Sequence, residues 1–342
     1  AKACILLWMG GGPSQLDTFD PKPGRKTGGE FKAIDTAVRG LQIGEHLPRV
    51  ATMAKHFSII RTLTTSEAAH ERGAYLMHVG YSPIPGLDFP PLGTVVSYEN
   101  GDRQSPLPNF VALHAPAIPP SALFGEEHLP FVLDSMEDPI PNVKSQVGGG
   151  REEERQAWLR EQAEGWMAKR PYPSMEKHET VQKKADDLMA TPLLKAFNVK
   201  QEPSEVREAY GKGFGENCLL ARRLVEAGCR FVEVGLGGWD THDNNFDRVK
   251  NLCGSLDGGM SELIKDLDRR DLLKETLVIW AGEFGRTPEI NGGKGRDHWT
   301  KCWAVMLAGG GIAGGRTIGM TDRDGMEIAK DPVPVQDYFA TI

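Results

Sequence analysis

The residue pair with the most specific chemistry is Asp240 and His242, at the end of CRFVEVGLGGWDTH (Cys229 to His242). The apolar run Phe231 to Leu236 predicts a buried strand that ends in a glycine turn. Residues i and i+2 of an extended segment point to the same side, so both side chains can reach one point past the strand end, where open α/β sheets bind ligands. Carboxylate oxygen and imidazole nitrogen suit zinc, manganese or iron. Alternatively, Asp240 caps the next helix and His242 is a surface residue.

Two other predicted strands also end in loops that carry carboxylates. The apolar run Ala3 to Met9 ends in a glycine turn and is followed by Asp17, and Thr276 to Ala281 is followed by Glu283. His298 lies in a further glycine-rich loop, GGKGRDHW. The carboxyl ends of parallel strands share one edge of a sheet, so a single pocket for a hydrolytic metal site is expected there. Its predicted members are Asp17, Asp240, His242, Glu283 and His298.

Three further residues can bind an anionic substrate at this pocket. Arg286 and Lys294 can neutralise negative charge beside the metal, which makes Arg286 a candidate catalytic group as well. Ser14 lies on the first glycine loop, where backbone amides can approach an anion. The alternatives are two local ion pairs, Glu283 with Arg286 and Arg296 with Asp297.

His70 is a candidate of a different kind because it is predicted to begin a helix. The hydroxyl-rich turn Thr62 to Glu67 offers Ser66 or Thr65 as an N-cap, and Ala68 to Val79 is predicted to be the helix. A histidine in the first turn lies at the positive end of the helix dipole, which favours the neutral ring. A ligating or base-like His70 is therefore reasonable, and a capping or packing histidine is the alternative.

Alternating strands and helices must position these side chains. The apolar runs, together with Phe57 to Arg61 and Ala304 to Ala308, alternate with amphipathic helices such as Phe214 to Ala227 and Asp247 to Arg269. This alternation predicts one doubly wound α/β domain over residues 1–342. Residues 82–141 hold 12 of the 23 prolines, which favours irregular cover and edge strands. Residues 151–210 are predicted to be charged, solvated helices.

Composition narrows the function further. The 342 residues carry a net charge of −7 with no basic block, which disfavours nucleic-acid binding through phosphate contacts. No apolar run is long enough to span a membrane. The five cysteines form no Cys-x-x-Cys pair, so buried free thiols are expected rather than a disulfide framework.

Four motifs make nearly the whole chain similar to the family called domain of unknown function 1501, within the alkaline phosphatase and sulfatase superfamily. They are GGPSQLDTFDPKPG (Gly11 to Gly24), GGWDTHDNN (Gly237 to Asn245), GEFGRTP (Gly282 to Pro288) and GRDHW (Gly295 to Trp299). The resemblance implies a three-layer α/β/α sandwich with a mostly parallel sheet and metal-dependent hydrolysis of phosphate or sulfate esters. It assigns Asp240, His242 and His298 to one metal ion.

The same resemblance gives an incomplete ligand set for a second metal ion and an unusual residue at the nucleophile position. Glu283 stands where the superfamily has a carboxylate ligand, but Phe284 stands where a His or Asn ligand is expected, and Asp17 is a displaced substitute for the early aspartates. His70 occupies the position of the Ser, Thr or Cys nucleophile. It is then a nucleophile that forms phosphohistidine, a ligand or base for a metal-activated water, or the mark of a lost activity. We rank the second of these roles first.

The expected function is thus a metal-dependent phosphate or sulfate ester hydrolase that acts on a small-molecule or polysaccharide ester. Zinc is the first choice of metal, with manganese or calcium as alternatives and one or two ions per chain. The competing hypothesis is an eroded, exported protein that binds polyanions or metal without turnover. The resemblance also implies an extracytoplasmic location, an export signal before this sequence, and a helix that continues beyond Ile342.

Overall fold

The computed structural model describes residues 1–115, 118–120, 122–134, 143, 149–167 and 173–342. Parts of the predicted proline-rich cover at 82–141 and of the charged helical region at 151–210 therefore lie outside the described residues.

The strands are β1 (Ala3–Trp8), β2 (Ala33–Asp35), β3 (Gln42–Gly44), β4 (Phe57–Thr64), β5 (Phe110–Leu113), β6 (Phe131–Leu133), β7 (Phe231–Gly235), β8 (Thr276–Ala281), β9 (Gly285–Arg286), β10 (His298–Trp299), β11 (Trp303–Gly309), β12 (Arg316–Ile318), β13 (Met320–Thr321), β14 (Ile328–Lys330) and β15 (Val333–Pro334). The helices are α1 (Pro48–Thr52), α2 (His70–Val79), α3 (Leu92–Asn100), α4 (Gly149–Met167), α5 (Pro173–Ala190), α6 (Ser204–Tyr210), α7 (Phe214–Glu226), α8 (Asn245–Arg269) and α9 (Val335–Phe339).

A nine-stranded sheet forms the centre of the described part of the chain, in the order β12-β4-β11-β8-β1-β7-β5-β6, with β15 also paired to β4. Its pairs are parallel except those of β11, which runs antiparallel to β4 and β8. The predicted mostly parallel α/β sheet is confirmed. The antiparallel strand arises because β11 follows a loop at the carboxyl edge and must run back down the sheet.

Alternate residues of β1 enter two separate apolar cores, which makes the sandwich three-layered. Ile5 and Leu7 pack in a core with the buried faces of α7 and α8. Cys4, Leu6 and Trp8 pack in a second core with α2 and α9. Every residue of β1 is buried, as expected for a central strand covered on both faces.

The strands β8, β1 and β7 are adjacent, and β1 pairs in parallel with both neighbours. Their carboxyl ends therefore bring three loops to one edge of the sheet, which we call the rim. The strand β4 runs in the same direction as β8, because β11 is antiparallel to both. Helix α2 follows the carboxyl end of β4, so His70 also lies at the rim.

Several element limits differ from the sequence prediction. The strand β4 continues to Thr64, into the predicted turn Thr62 to Glu67. Helix α2 begins at His70 rather than Ala68, and its N-cap is Ala69, which has no side chain to accept a hydrogen bond. Ser66 and Thr65 are therefore not the cap. Similarly, α8 begins at Asn245 with Asn244 as its N-cap, so Asp240 does not cap that helix.

Among the helices that the structure describes, none has the length and apolar character needed to span a lipid bilayer.

Candidate metal centre

Five predicted side chains lie together at the rim, and we call them the open cluster. They are contributed by α2, by the loops after β7 and β8, and by the short strand β10, which pairs with β9 so that His298 lies opposite Arg286. The members of the open cluster are His70, Asp240, His242, Glu283 and His298.

Asp240, His242 and His298 form a triangle of ligand-type atoms. Asp240 Oδ1 lies 3.1 Å from His242 Nε2 and 3.5 Å from His298 Nε2, and the two Nε2 atoms are 3.1 Å apart. Ligands about 2.0–2.1 Å from a tetrahedral zinc ion are about 3.3–3.4 Å from one another. The three edges are close to that spacing, so these atoms fit the protein side of a divalent-metal site.

The hydrogen bonds of the other ring nitrogens fix which nitrogen is free. His298 Nδ1 lies 2.7 Å from the carbonyl oxygen of Ala68, which can only accept, so Nδ1 carries the proton. His242 Nδ1 lies 2.7 Å from Asp297 Oδ1 and donates to that carboxylate. In the neutral rings both Nε2 atoms therefore carry a lone pair, and the two lone pairs face each other. A cation between them would stabilise this arrangement. Burial lowers the pKa of His298, which favours its neutral ring.

His70 is oriented in the same way but from a different element. Its Nδ1 lies 2.7 Å from Glu283 Oε1, which also accepts a hydrogen bond of 2.8 Å from the amide of Gly11. The bond to Glu283 raises the pKa of His70, against the opposing effect of burial. Nε2 of His70 lies 3.4 Å from Asp240 Oδ1. His70, Asp240 and His298 also offer ligand atoms that all lie within 4.8 Å of one another.

Two buried atoms of this region have no hydrogen-bond partner among the described residues, His70 Nε2 and Glu283 Oε2. Buried polar atoms are almost always satisfied in folded proteins. Unpartnered ring-nitrogen and carboxylate atoms in a cluster of imidazoles and carboxylates are consistent with a site that binds a ligand there.

Arg286 is directed into the protein rather than towards solvent. It donates to the carbonyls of Gly11, Gly12 and Arg296 and, at 2.5 Å, to Asp240 Oδ1. Burial alone would raise the pKa of Asp240, but the hydrogen bond and charge of Arg286, with smaller effects of the histidines, hold it below its usual value. Arg286 thus keeps Asp240 ionised and fixed in place.

Phe284 and Gly11 shape the cluster without ligating anything. The Phe284 ring lies 5.0 Å from the His70 ring and 4.5 Å from the His298 ring, centroid to centroid, so it packs against both imidazoles. Gly11 has φ of 111°, and a Cβ there would collide with the backbone of Trp239 and Asp240. Only glycine lets the loop after β1 lie against the loop after β7.

Asp17 lies in a second group of rim residues, which we call the closed cluster: Asp17, Asn245 and Arg296. Arg296 donates to both carboxylate oxygens of Asp17, at 2.8 and 3.1 Å, and Asn245 donates at 2.8 Å. The remaining donors of Arg296 bind the carbonyls of Thr27, Thr287 and Pro288. Asp17 is therefore taken up by its own partners and does not join the open cluster.

The other two predicted substrate groups also lie elsewhere. Ser14 is fully buried, and its Oγ accepts the amide of Asp17 at 3.3 Å. Lys294 is exposed on its loop with φ of 56°. The alternative local ion pairs, Glu283 with Arg286 and Arg296 with Asp297, are not the ones formed: Arg286 pairs with Asp240 and Arg296 with Asp17.

Sequence reasoning misses two contributors to the open cluster. The pattern places Asp297 only as a partner of Arg296, yet Asp297 orients His242; its place beside His298 in GRDHW is the available signal. The Ala68 carbonyl orients His298 and carries no sequence signal at all, because any residue supplies it.

A cavity of about 560 Å³ opens beside the cluster. His70, Asp240 and Glu283 form one part of its wall, and Trp8, Tyr75, Ile118 and Pro119 form an apolar part. Asp17, Ser14 and Lys294 are not among its lining residues. An organic substrate can therefore reach His70 and Asp240 from one side.

The family model described as "Protein of unknown function (DUF1501)" matches residues 1–342. No curated protein matches the sequence. Among solved structures, the chain is similar to Ps i-CgsB in complex with k-i-k-neocarrahexaose, with 12% identity, a TM-score of 0.46, and coverage of 99% of this chain and 70% of that chain.

Two further solved structures are similar at the same level. The PsFucS1 sulfatase from Pseudoalteromonas sp. has 14% identity and a TM-score of 0.42, with coverage of 95% of this chain and 66% of that chain. The alkaline phosphatase from the Antarctic bacterium TAB5 has 13% identity and a TM-score of 0.38, with coverage of 94% and 95%. At values this low the likeness concerns the fold alone, and the chemistry of this chain rests on its own side chains.

Proposed function

This chain belongs to the DUF1501 family, a family of unknown function, and we propose that it is a metal-dependent hydrolase of phosphate or sulfate esters. The observation that carries the proposal is the pair of facing Nε2 atoms of His242 and His298, 3.1 Å apart beside Asp240. These three residues would hold one divalent ion. When bound, the ion supplies a Lewis acid and makes a water nucleophile available near neutral pH.

His70 is the residue we assign to proton transfer. Its Nδ1 is hydrogen-bonded to Glu283, and in the neutral ring its Nε2, 3.4 Å from Asp240 Oδ1, is the atom that can accept a proton. Hydrolysis forms a bond from the water oxygen to phosphorus or sulfur and breaks the ester bond to the leaving oxygen. Nε2 takes one proton from the water and later releases it to solvent, and the leaving oxygen takes a proton from solvent, so the ring ends unchanged.

Glu283, Asp297 and Arg286 are positioning residues in this scheme. Glu283 and Asp297 hold the imidazoles of His70 and His242 in the required tautomer, a role that partners of metal-site histidines commonly have. Arg286 holds Asp240. Its donors are bound to the protein, so we do not assign it to substrate.

Zinc is the proposed ion because two imidazoles and one carboxylate form a ligand set that zinc uses in catalytic sites. Calcium takes six to eight oxygen ligands, which two nitrogens at the centre of this site do not provide. Manganese remains the alternative. An extracytoplasmic location is part of the proposal through the motif resemblance.

A polyanion-binding protein without activity is the weaker candidate. The cavity wall carries Glu71, Asp240 and Glu283 as its acidic groups, and no Lys or Arg is among the described residues that line it. Such a wall repels a polyanion unless a metal ion is bound.

The test is a comparison of two histidine variants of the full chain. We expect the purified protein to bind about one zinc ion per chain and to hydrolyse p-nitrophenyl esters of phosphate or sulfate in a chelator-sensitive way. His242→Ala should lose both metal and turnover, whereas His70→Ala should keep the metal and lose turnover. His56→Ala, at the opposite edge of the sheet, is the matched control and should change neither. Zinc binding that survives His242→Ala, or turnover that survives His70→Ala, would overturn the assignment.

A further inference from the structure

The charges around the cavity beside the open cluster are unusual for a site that takes phosphate or sulfate groups. Its lining contains three carboxylates and one imidazole, and in the part of the chain that the structure describes no lysine or arginine lines it. Sites that bind dianionic phosphate monoesters normally present arginine or several amide donors to the free oxygens. The wall of this cavity offers neither type of side chain.

Two arginines close to lining residues in contact or in sequence are paired with carboxylates of the protein. Arg286 lies behind Asp240 with its donors bound to Gly11, Gly12, Arg296 and Asp240. Arg72, which is close in sequence to the lining residue Glu71, forms an ion pair with Glu67 at 2.8 Å. Arg286 cannot make a bidentate contact to a substrate without breaking these bonds, and Arg72 is not among the residues that line the cavity.

The charge balance then limits the substrate. A divalent ion contributes two positive charges, and Glu71, Asp240 and Glu283 contribute three negative ones. Arg286, bound to Asp240, adds one positive charge, so these groups together carry no excess positive charge. The wall carboxylates therefore repel a reacting group with two negative charges more strongly than one with a single negative charge.

The apolar wall indicates the organic part of the substrate. The Trp8 ring is packed on His78, with centroids 4.4 Å apart, and the Tyr75 hydroxyl accepts the amide of Phe89 at 3.1 Å. Both rings are therefore held in place. Together with Ile118 and Pro119 they form a surface suited to an aromatic or other apolar group.

We propose that the site selects esters whose reacting group carries a single negative charge, phosphodiesters or sulfate monoesters with an apolar substituent, and that Glu71 enforces this selection against dianionic phosphate monoesters. The inference rests on the proposed hydrolase function. Glu71 is a specificity-determining residue here: it is exposed, it lines the cavity, and it takes no part in holding metal or moving a proton.

The test uses the zinc-loaded full chain and three substrates with the same leaving group: bis(p-nitrophenyl) phosphate, p-nitrophenyl sulfate and p-nitrophenyl phosphate. At pH 8 the last is a dianion, because the second pKa of a phosphate monoester is about 6. The intrinsic reactivities differ, so the decisive quantity is how a variant changes the kcat/KM ratio of monoanion to dianion. Whichever monoanion is turned over also separates a phosphodiesterase from a sulfatase.

Glu71→Lys should lower that ratio by about tenfold or more and Glu71→Gln by about threefold, since each unit of charge near a partly exposed site changes binding by roughly that factor. Glu205→Lys, the same charge change on the exposed face of α6, should leave the ratio unchanged. Tyr75→Ala should raise KM for bis(p-nitrophenyl) phosphate several-fold with little change in kcat, because it removes apolar contact rather than chemistry.

A ratio that does not respond to Glu71→Lys, or responds equally to Glu205→Lys, overturns the selection while metal-dependent turnover leaves the hydrolase function standing. A wild-type protein that binds zinc and hydrolyses none of the three esters overturns both.

Discussion

The open cluster and the closed cluster lie on the same rim and use similar acidic groups, but they differ in how their charges are satisfied. In the closed cluster, Arg296 and Asn245 occupy both oxygens of Asp17, and the side chains of Asp17 and Arg296 are 0% exposed. In the open cluster, Asp240 is 45% exposed at its side chain, and His70 Nε2 and Glu283 Oε2 have no partner among the described residues. One cluster is complete without a ligand and the other is not.

This difference distinguishes a structural carboxylate from a candidate metal ligand more clearly than residue type does. Asp17 and Asp240 both follow strand ends in glycine-rich loops, and both meet the sequence criteria for a metal ligand. Each carboxylate is paired with a buried guanidinium, and the difference lies in how many of its oxygens are taken. Arg296 and Asn245 bind both oxygens of Asp17, whereas Arg286 binds Asp240 through Oδ1, so Asp240 keeps lone pairs for a cation.

The largest expected effect comes from breaking the closed cluster. Arg296→Met leaves the Asp17 carboxylate buried and without its cation, which should reduce the free energy of unfolding by about 3–5 kcal/mol. The free energy of unfolding is measured by urea denaturation, with circular dichroism as the signal. His242→Gln, at a half-exposed member of the open cluster, should change stability by less than about 1 kcal/mol.

The double variant Asp17→Asn with Arg296→Met controls for lost packing. It should recover part of the stability, because neutralising the carboxylate removes the uncompensated charge. Equal losses in Arg296→Met and His242→Gln would mean that the two clusters do not differ in the way described.

A smaller effect should follow from adding metal, and it should belong to the open cluster alone. Zinc at 100 times its dissociation constant should stabilise the wild-type chain by about 2.7 kcal/mol, because it binds only the folded state. The increment should persist in Arg296→Met at a lower baseline and vanish in His298→Gln. Denaturation curves recorded with zinc and with a chelator measure the stabilisation by zinc. A stabilisation retained in His298→Gln would mean that the metal binds elsewhere.

The smallest effect concerns a buried pair beneath the rim, His78 and Glu233, which repeats the histidine–glutamate chemistry of His70 and Glu283 in sealed surroundings. Their side chains are 4% and 0% exposed, with Nε2 and Oε1 3.1 Å apart. Burial alone would lower the pKa of His78, but the charge and hydrogen bond of Glu233 raise it overall. Protonated His78 should therefore stabilise the folded chain.

The raised pKa of His78 sets the sign of the pH dependence. Stability from a raised histidine pKa is fully present below the unfolded value of about 6.5 and is lost as pH rises through the folded value. The stability difference between wild type and His78→Gln should therefore shrink from pH 6 to pH 9. A difference that grows with pH would show that burial prevails and that His78 is neutral.

Much of the architecture is encoded in local patterns. The prediction for the strand Thr276–Ala281 matches its observed limits, and those for β1, β7, α7 and α8 agree to within about two residues. Long apolar runs and amphipathic repeats are local properties, so they can be recognised without knowledge of the fold. The start of α2 is predicted two residues too early, because no side-chain cap marks it.

The sequence by itself determined that acidic and imidazole groups would follow strands β1, β7 and β8, because glycine turns and apolar runs are encoded within a few residues. It also determined that Asp240 and His242 could face one point. Only the tertiary structure decided that Arg296 neutralises Asp17 across 279 positions and that Gly11 and His70 share Glu283. The partner of a buried charge is selected by how distant loops pack together, and no local pattern contains that information.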